Sequence, residues 1–360
     1  MERLNRKWVL AHRPTENITS ETLRFEESVL PDLKEGEVLC RNLYLSLDPT
    51  NRLWMSSREQ YLPPVELGEV MRGGTLGVVE ESRAEGFAPG DLVLLGNGGW
   101  QVYSISSAIG VTKLNMHEGL PLTAYLSVLG FTALTAYFGL MDIARPKAGE
   151  VMVVSAAAGA VGSIVGQIGK ILGCRVIGIA GEAEKCRWLT QDLGFDAAID
   201  YKSEDVGAAL DRLCPDGIDI DFENVGGPIM DAVFSRLRLN GRMALCGMIS
   251  TYNDEDPMAG PQDFGRILMQ RLTIKGFLIL DYFSRAHEGF AALAKWVAQG
   301  KIKWKTHVVE GGIEAAPDAL KLLFTGNHNG KLLLHISPEP DFGNKIQASH
   351  SFLETSKSLI

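Results

Sequence analysis

Two rhythms of apolar and polar residues divide the chain. From residue 1 to about 125, short apolar runs such as EVLCRNLYLSL, GTLGVVEESR and DLVLLG are separated by Gly/Pro turns such as Ala88-Pro89-Gly90-Asp91. Few segments there sustain a helical period, so this part is predicted to be β-rich. From about residue 126, strand and helix patterns alternate. Strands are predicted at 151–155, 175–179, 197–199, 218–222, 241–246 and 273–277, and helices at 160–172, 183–193, 204–213 and 228–237. A helix at 285–300, a strand at 305–310, a helix at 314–325 and a strand at 331–336 follow, then a polar tail from 337 to 360 that is expected to be mobile.

Strands alternating with helices imply an α/β fold with a doubly wound parallel sheet of the Rossmann kind, over residues 126–300. Its first unit contains VMVVSAAAGAVGSIVGQIG, residues 151–169, nineteen residues without a charge. The length suits a short membrane span, and Gly162-x-x-x-Gly166 is a spacing that lets membrane helices approach closely. The detail argues otherwise. VMVVS is short and β-branched, AAAG would weaken a continuous helix, and strand–helix alternation continues for more than a hundred residues beyond. A strand, a tight turn and a helix fit better.

That turn is a variant of the dinucleotide pattern G-x-G-x-x-G, with Ala157, Gly159 and Gly162 at the three glycine positions. Gly159 would let a pyrophosphate approach the backbone, Gly162 would let helix and strand pack closely, and the helix N-terminus would hold the phosphates. Downstream, Glu182 is placed to bind an NAD ribose, whereas Lys185 and Tyr201 are placed to surround a 2′-phosphate. Spacing leaves the two cofactors balanced.

The totals narrow the class. With 46% apolar and 22% charged residues in 360, the chain can bury a large core in two domains. A net charge of −9 argues against nucleic acid as a partner. The start MERLNRKWVLAHRP lacks the apolar stretch of a signal peptide, and Cys40, Cys174, Cys186, Cys214 and Cys246 are scattered without a C-x-x-C pair. Reduced thiols in a cytoplasmic protein are expected, with no membrane association. No two histidines stand at i, i+4, so no zinc ligand set is visible and no metal is expected.

Several segments coincide with one family. RNLYLSLDP (41–49), YLPPVELGEVMRGG (61–74), GFAPGDLV (86–93), LTAYFGL (134–140), VSAAAGAVGS (154–163), AEKCRWL (183–189), FENVGG (222–227) and CGMIS-TYN (246–253) resemble the zinc-independent medium-chain dehydrogenases/reductases. The likeness is to the group of prostaglandin reductase, leukotriene B4 dehydrogenase and curcumin reductase, and it covers roughly residues 5 to 336. It implies a GroES-like catalytic domain over 1–125, with elements of 301–336 returning to it, and a homodimer. It also tips the cofactor to NADPH. Lys185 and Tyr201 match the family's 2′-phosphate contacts, while Ala157, Gly159, Ala160, Val161 and Gly162 form the phosphate turn. Asn224, the run Cys246, Gly247, Ile249, Ser250 and Tyr252, and the segment Phe277, Leu278 and Ile279 match positions that line the rest of the cofactor. Three departures stand out: Thr50 replaces a tyrosine sometimes assigned to the active site, Thr132-Ala133 replaces Pro-Gly, and His328 occupies an asparagine position.

The resemblance implies NADPH-dependent reduction of the C=C bond of a small apolar α,β-unsaturated ketone or aldehyde. Hydride reaches the β-carbon while charge develops on the carbonyl oxygen, where a hydrogen-bond donor lowers the barrier. The candidate donors are Tyr252, in a loop after a sheet strand, and Tyr61, from the other domain. A quinone reductase and a non-catalytic NADPH-binding protein are the alternatives.

Overall fold

The computed structural model describes residues 3–117, 119–254 and 259–341. Strands β1 (Leu4–Leu10) and β2 (Leu23–Val29) form an antiparallel pair. Then come β3 (Glu37–Ser46), the one-turn helix α1 (Thr50–Trp54), β4 (Thr75–Ser82), β5 (Leu92–Leu95), β6 (Tyr103–Ser107) and β7 (Val111–Lys113). The α/β part runs α2 (Phe131–Phe138), β8 (Val151–Val154), α3 (Gly162–Ile171), β9 (Arg175–Ala180), α4 (Ala183–Arg187), β10 (Ala197–Asp200), α5 (Val206–Leu213), β11 (Ile218–Glu223), α6 (Gly227–Phe234), β12 (Leu237–Leu245), α7 (Arg266–Gln270), β13 (Thr273–Gly276) and α8 (Ala286–Ala298). The chain closes with β14 (Thr306–Val309), α9 (Ala316–Thr325) and β15 (Lys331–His335).

Six strands form a parallel sheet in the order β10-β9-β8-β11-β12-β13. The chain winds outward from β8 to one side, then restarts at β11 on the other. The crevice between the carboxyl ends of β8 and β11 is therefore the topological switch point, where ligands of such sheets bind. The expected α/β class is the observed one. A second sheet, β14-β15-β3-β4-β5-β7 with β6 on β3, is antiparallel except for β14 and β15. Through β15, the end of the chain pairs with β3, which the sequence reading had only as an implication of the family.

The charge-free stretch 151–169 owes its composition to burial on all sides. Met152, Val153 and Val154 are inaccessible, as expected of a strand covered on both faces. On α3, a Cβ at Gly166 would fall 1.8 Å from the Phe195 ring. The G-x-x-x-G spacing thus seats a helix against this protein's own core. No helix among the described residues is long and apolar enough to cross a membrane.

One hydrophobic cluster runs through both sheets, joining Leu43 and Leu76 of the antiparallel sheet to Val154 and Phe222 of the parallel one and to Phe138 of α2. Two local features escaped sequence reading. Strand β12 begins at Leu237, earlier than expected, because Arg238 and Asn240 break the apolar run at its exposed start. The tail is not free from its first residue: Arg41 binds the Pro338 carbonyl at 2.7 Å and the Tyr44 hydroxyl donates to Glu339 at 2.6 Å. Residues 342–360 of the expected mobile tail lie outside the described residues.

Candidate active site

Where β8 ends, Ala156 takes a left-handed backbone (φ 47°), and the Gly159 amide closes the turn by donating to the Ala156 carbonyl at 2.9 Å. A Cβ on Gly162 would lie 2.4 Å from that carbonyl oxygen and 2.8 Å from Ala157 Cα, so only glycine lets α3 start this close to the strand. Gly159, Ala160, Val161 and Gly162 line a large cleft. Ala157 lies behind them, fully buried, its amide on the Ile179 carbonyl at 2.9 Å. The turn is a cradle open to an anion at the N-terminus of a ten-residue helix, and it fits a pyrophosphate. The Gly330 amide donates to the Ala158 carbonyl at 3.0 Å, which ties the C-terminal segment to it.

At one end of the cleft, after β9, Lys185 and Tyr201 come together with Gly181. Lys185 is not a solvated lysine. It is buried, its Nζ donates to the Gly326 carbonyl, and burial lowers its pKa. Glu182 turns away from a ribose-binding role and pairs with Lys202 at 2.9 Å. His328 also lines this end, with burial pushing its pKa down to about 4, so it is neutral. The cation at this end is thus Lys185, backed by the exposed Lys202.

At the switch point, the Asn224 amide donates to Ser155 Oγ and its Nδ2 to the Ser155 carbonyl, both at 2.7 Å. Glu223 beneath accepts from the Val225 and Gly226 amides, which fixes the turn. After β12, Cys246, Gly247, Ile249, Ser250 and Tyr252 enter the cleft. The Tyr252 hydroxyl accepts from the Met248 amide at 3.1 Å, and burial pushes its pKa to about 12, so the phenol keeps its proton. Burial, and then the Glu223 charge, raise the Cys246 thiol to about 12 as well, an inert state for a nucleophile. Leu278 and Ile279 line the cleft, whereas the Phe277 ring turns into the core, 6.1 Å from the ring of Phe222 and against Gly139.

Tyr61 lines the same cleft as Tyr252 from the antiparallel half, close enough for its charge to raise the Tyr252 pKa. Its hydroxyl bonds to Thr50 of α1. The cleft holds about 1270 Å³, room for a dinucleotide and a small ligand together. Trp54, Phe131 and Phe283, unread in the sequence, complete its apolar wall, with the two phenylalanine rings 5.4 Å apart. They lie far apart in sequence and carry no motif; only an aromatic at a loop or helix end could have flagged them. Among the described residues, no group of three or more His, Cys, Asp or Glu side chains is arranged to hold a metal ion.

Comparison with known proteins places this geometry. Residues 6–114 match the family model described as the N-terminal domain of oxidoreductase, and residues 160–299 that of zinc-binding dehydrogenase. The NADPH-dependent curcumin reductase of Escherichia coli is 44% identical over 338 residues, 92% of this chain and 97% of that protein. Prostaglandin reductase 1 of Bos taurus is 38% identical, over 91% of this chain and 98% of its own length. The crystal structure of CurA from Vibrio vulnificus in complex with NADPH superposes with a TM-score of 0.87 at 43% identity, covering 93% of this chain and all of that one. Identity and coverage of this extent leave one conclusion: the chain belongs to the zinc-independent medium-chain dehydrogenase/reductase family, in the group of curcumin and prostaglandin reductases.

Proposed function

We propose that this NADP-dependent oxidoreductase reduces the C=C bond of apolar α,β-unsaturated ketones or aldehydes with NADPH. The observation that carries the reading is that a pyrophosphate cradle and two protonated phenols, Tyr252 and Tyr61, share one apolar cleft. When bound, the reduced nicotinamide supplies a hydride to the β-carbon of the enone. The π-electrons then move toward the carbonyl oxygen, where Tyr252 or Tyr61 donates a hydrogen bond to the developing charge, and a proton reaches the α-carbon. In this reading residues 1–125 and 301–336 form the catalytic half and residues 126–300 the cofactor half. Phe131, Phe283 and Trp54 shelter the apolar end of the substrate.

The test uses C4-deuterated NADPH with an enone such as 4-phenyl-3-buten-2-one. Deuterium at the β-carbon of a saturated ketone supports the reading, and deuterium on a carbinol carbon overturns it. Faster turnover of simple quinones than of any enone favours the quinone reductase instead, and no NADPH oxidation with either favours a binding protein.

We also assign the chain to the cytoplasm, supported by five free cysteines, and to a homodimer. Strand β13 is one of the two edges of the parallel sheet, β10 being the other, and in the helix that precedes it, α7, Leu268 and Met269 are 73% and 65% exposed. An unpaired edge next to apolar side chains is suited to a second copy.

A further inference from the structure

Among the described residues lining the cleft, the cations are Arg72, Lys185 and Lys331. Lys185 belongs to the end beside Gly181 and Tyr201. Lys331 is inaccessible, and its Nζ donates to the Leu47 carbonyl at 2.9 Å and to Asp48 Oδ1 at 2.6 Å. Arg72 pairs with no carboxylate among the described residues, because the acids in the wall are held elsewhere. Asp48 is taken by Lys331 and the Ser46 hydroxyl, Glu204 by Arg212 at 3.1 Å, and Asp205 by the Ala208 amide at 2.7 Å.

An arginine cannot shed its charge to suit an apolar wall. This one is half-buried and fixed in place. Its guanidinium carbon lies 5.3 Å over the Trp54 ring, and Nη1 donates to the Pro63 carbonyl at 3.0 Å. Its backbone is tied as well, the Arg72 carbonyl accepting from Asn51 Nδ2 at 3.1 Å. A guanidinium carries five N–H donors, so one stacked face and one carbonyl bond leave most of them unused. The same anchors put the cation beside Tyr61. Pro63 follows Tyr61 by two residues, and Trp54 stands one turn of α1 from Thr50, whose hydroxyl meets that of Tyr61.

We infer that Arg72 is a catalytic residue of the enone reduction, its free N–H groups meeting the substrate oxygen on which negative charge develops, next to Tyr61. A cation already oriented in an apolar wall stabilises that developing charge far more than it stabilises the neutral carbonyl, and such a difference lowers a barrier. The guanidinium keeps its own protons throughout, so the proton that reaches the α-carbon has another source. The inference rests on the reading of the chain as an enone reductase.

Two measurements on the wild type, Arg72→Met and Arg72→Lys test it. The first needs no turnover. 4-Nitrophenol, whose anion mimics the enolate and is told from the neutral phenol by its visible absorbance, is titrated into the NADP+-loaded enzyme at pH values on either side of its own pKa. The wild type is expected to bind the anion at least about tenfold more tightly than the phenol, Arg72→Met to lose that preference, and Arg72→Lys to keep part of it. The second is single-turnover reduction of 4-phenyl-3-buten-2-one, in which Arg72→Met should be slower by about 10²-fold while NADPH Kd stays within about twofold. If Arg72→Met retains the preference for the anion, or reduces the enone at the wild-type rate, the inference is wrong and the enone reading stands. If it slows only those enones that carry a carboxylate, the guanidinium grips an acid group of the substrate, which also overturns the catalytic role. A wild type that reduces no enone at all defeats the underlying reading and this inference with it.

Discussion

Asn224 is bound to Ser155 twice, backbone to side chain and side chain to backbone, both at 2.7 Å. These bonds join the ends of β8 and β11, the two strands between which the sheet reverses its order. The floor of the cleft therefore depends on a buried serine outside any glycine motif. Ser155→Ala should cost about 1–2 kcal/mol in stability, since it strands a buried amide. It should also weaken NADPH binding, which titration calorimetry would register; unchanged affinity would mean that the turn is held by Glu223 alone.

Among the described residues lining the cleft beside Gly181 and Tyr201, the cation is Lys185, and the cost of its burial is offset by the Gly326 carbonyl. Lys185→Ala is expected to raise the Kd for NADPH by about 10- to 100-fold, the value of a charge-assisted hydrogen bond to phosphate, while leaving NADH binding nearly unaltered. Equal losses for the two cofactors would move the 2′-phosphate elsewhere, with Lys202 the next residue to examine.

Tyr252 keeps its proton through neutral pH because burial holds its pKa near 12. Tyr252→Phe should slow enone reduction by about 10²-fold or more, as removing one donor to a developing oxyanion does. NADPH Kd should stay within about twofold, because the phenol's one observed bond is to Met248. Stopped-flow single turnovers separate the two; a full-rate Tyr252→Phe enzyme would leave the donor role to Tyr61.

Asp221 is fully buried in β11, and neither carboxyl oxygen has a hydrogen-bond partner. Burial, and then the neighbouring Glu223, raise its pKa well above the ordinary carboxylate range. The unfolded chain releases this proton near pH 4 while the folded chain retains it, so stability is full below that pH and falls as pH rises toward the folded pKa. Asp221→Val, which suits a strand between Val153 and Met243, should raise stability at pH 8 by about 1–3 kcal/mol and by less at pH 5. Thermal melts at the two pH values decide it; an equal gain at both would mean that the carboxyl is not the source.

The homodimer is tested at the β13 edge. Leu268→Glu should shift the mass measured by light scattering from dimer to monomer while leaving the fold intact, because Leu268 is exposed in the single chain. A wild-type monomer at micromolar concentration would dispose of the assignment.

The α/β half was legible because its signals are local. VMVV, RVIGIA and IDIDFE are strands by their own composition, and AAAGAVG can be little else than a tight turn before a helix. Lys185 and Tyr201 were legible as a pair from their places after successive strands, but the choice between them and Glu182 came only through family resemblance, since a lysine in a helix's first turns is ordinarily solvated. Phe277 shows the limit of that route: its segment enters the cleft, yet its own ring packs into the core because Gly139 leaves room for it.

By itself, the sequence determined the parallel sheet, the order of its strands' helices and the place of the phosphate turn, because periodicity and glycine chemistry act over a few residues. Only the tertiary structure decided what surrounds the reacting atoms. Tyr61 meets Tyr252 across 191 positions of chain, Gly330 closes on Ala158, and Thr50 meets the Tyr61 hydroxyl. Such contacts follow from which surfaces the buried apolar cluster brings face to face, and no local pattern records that.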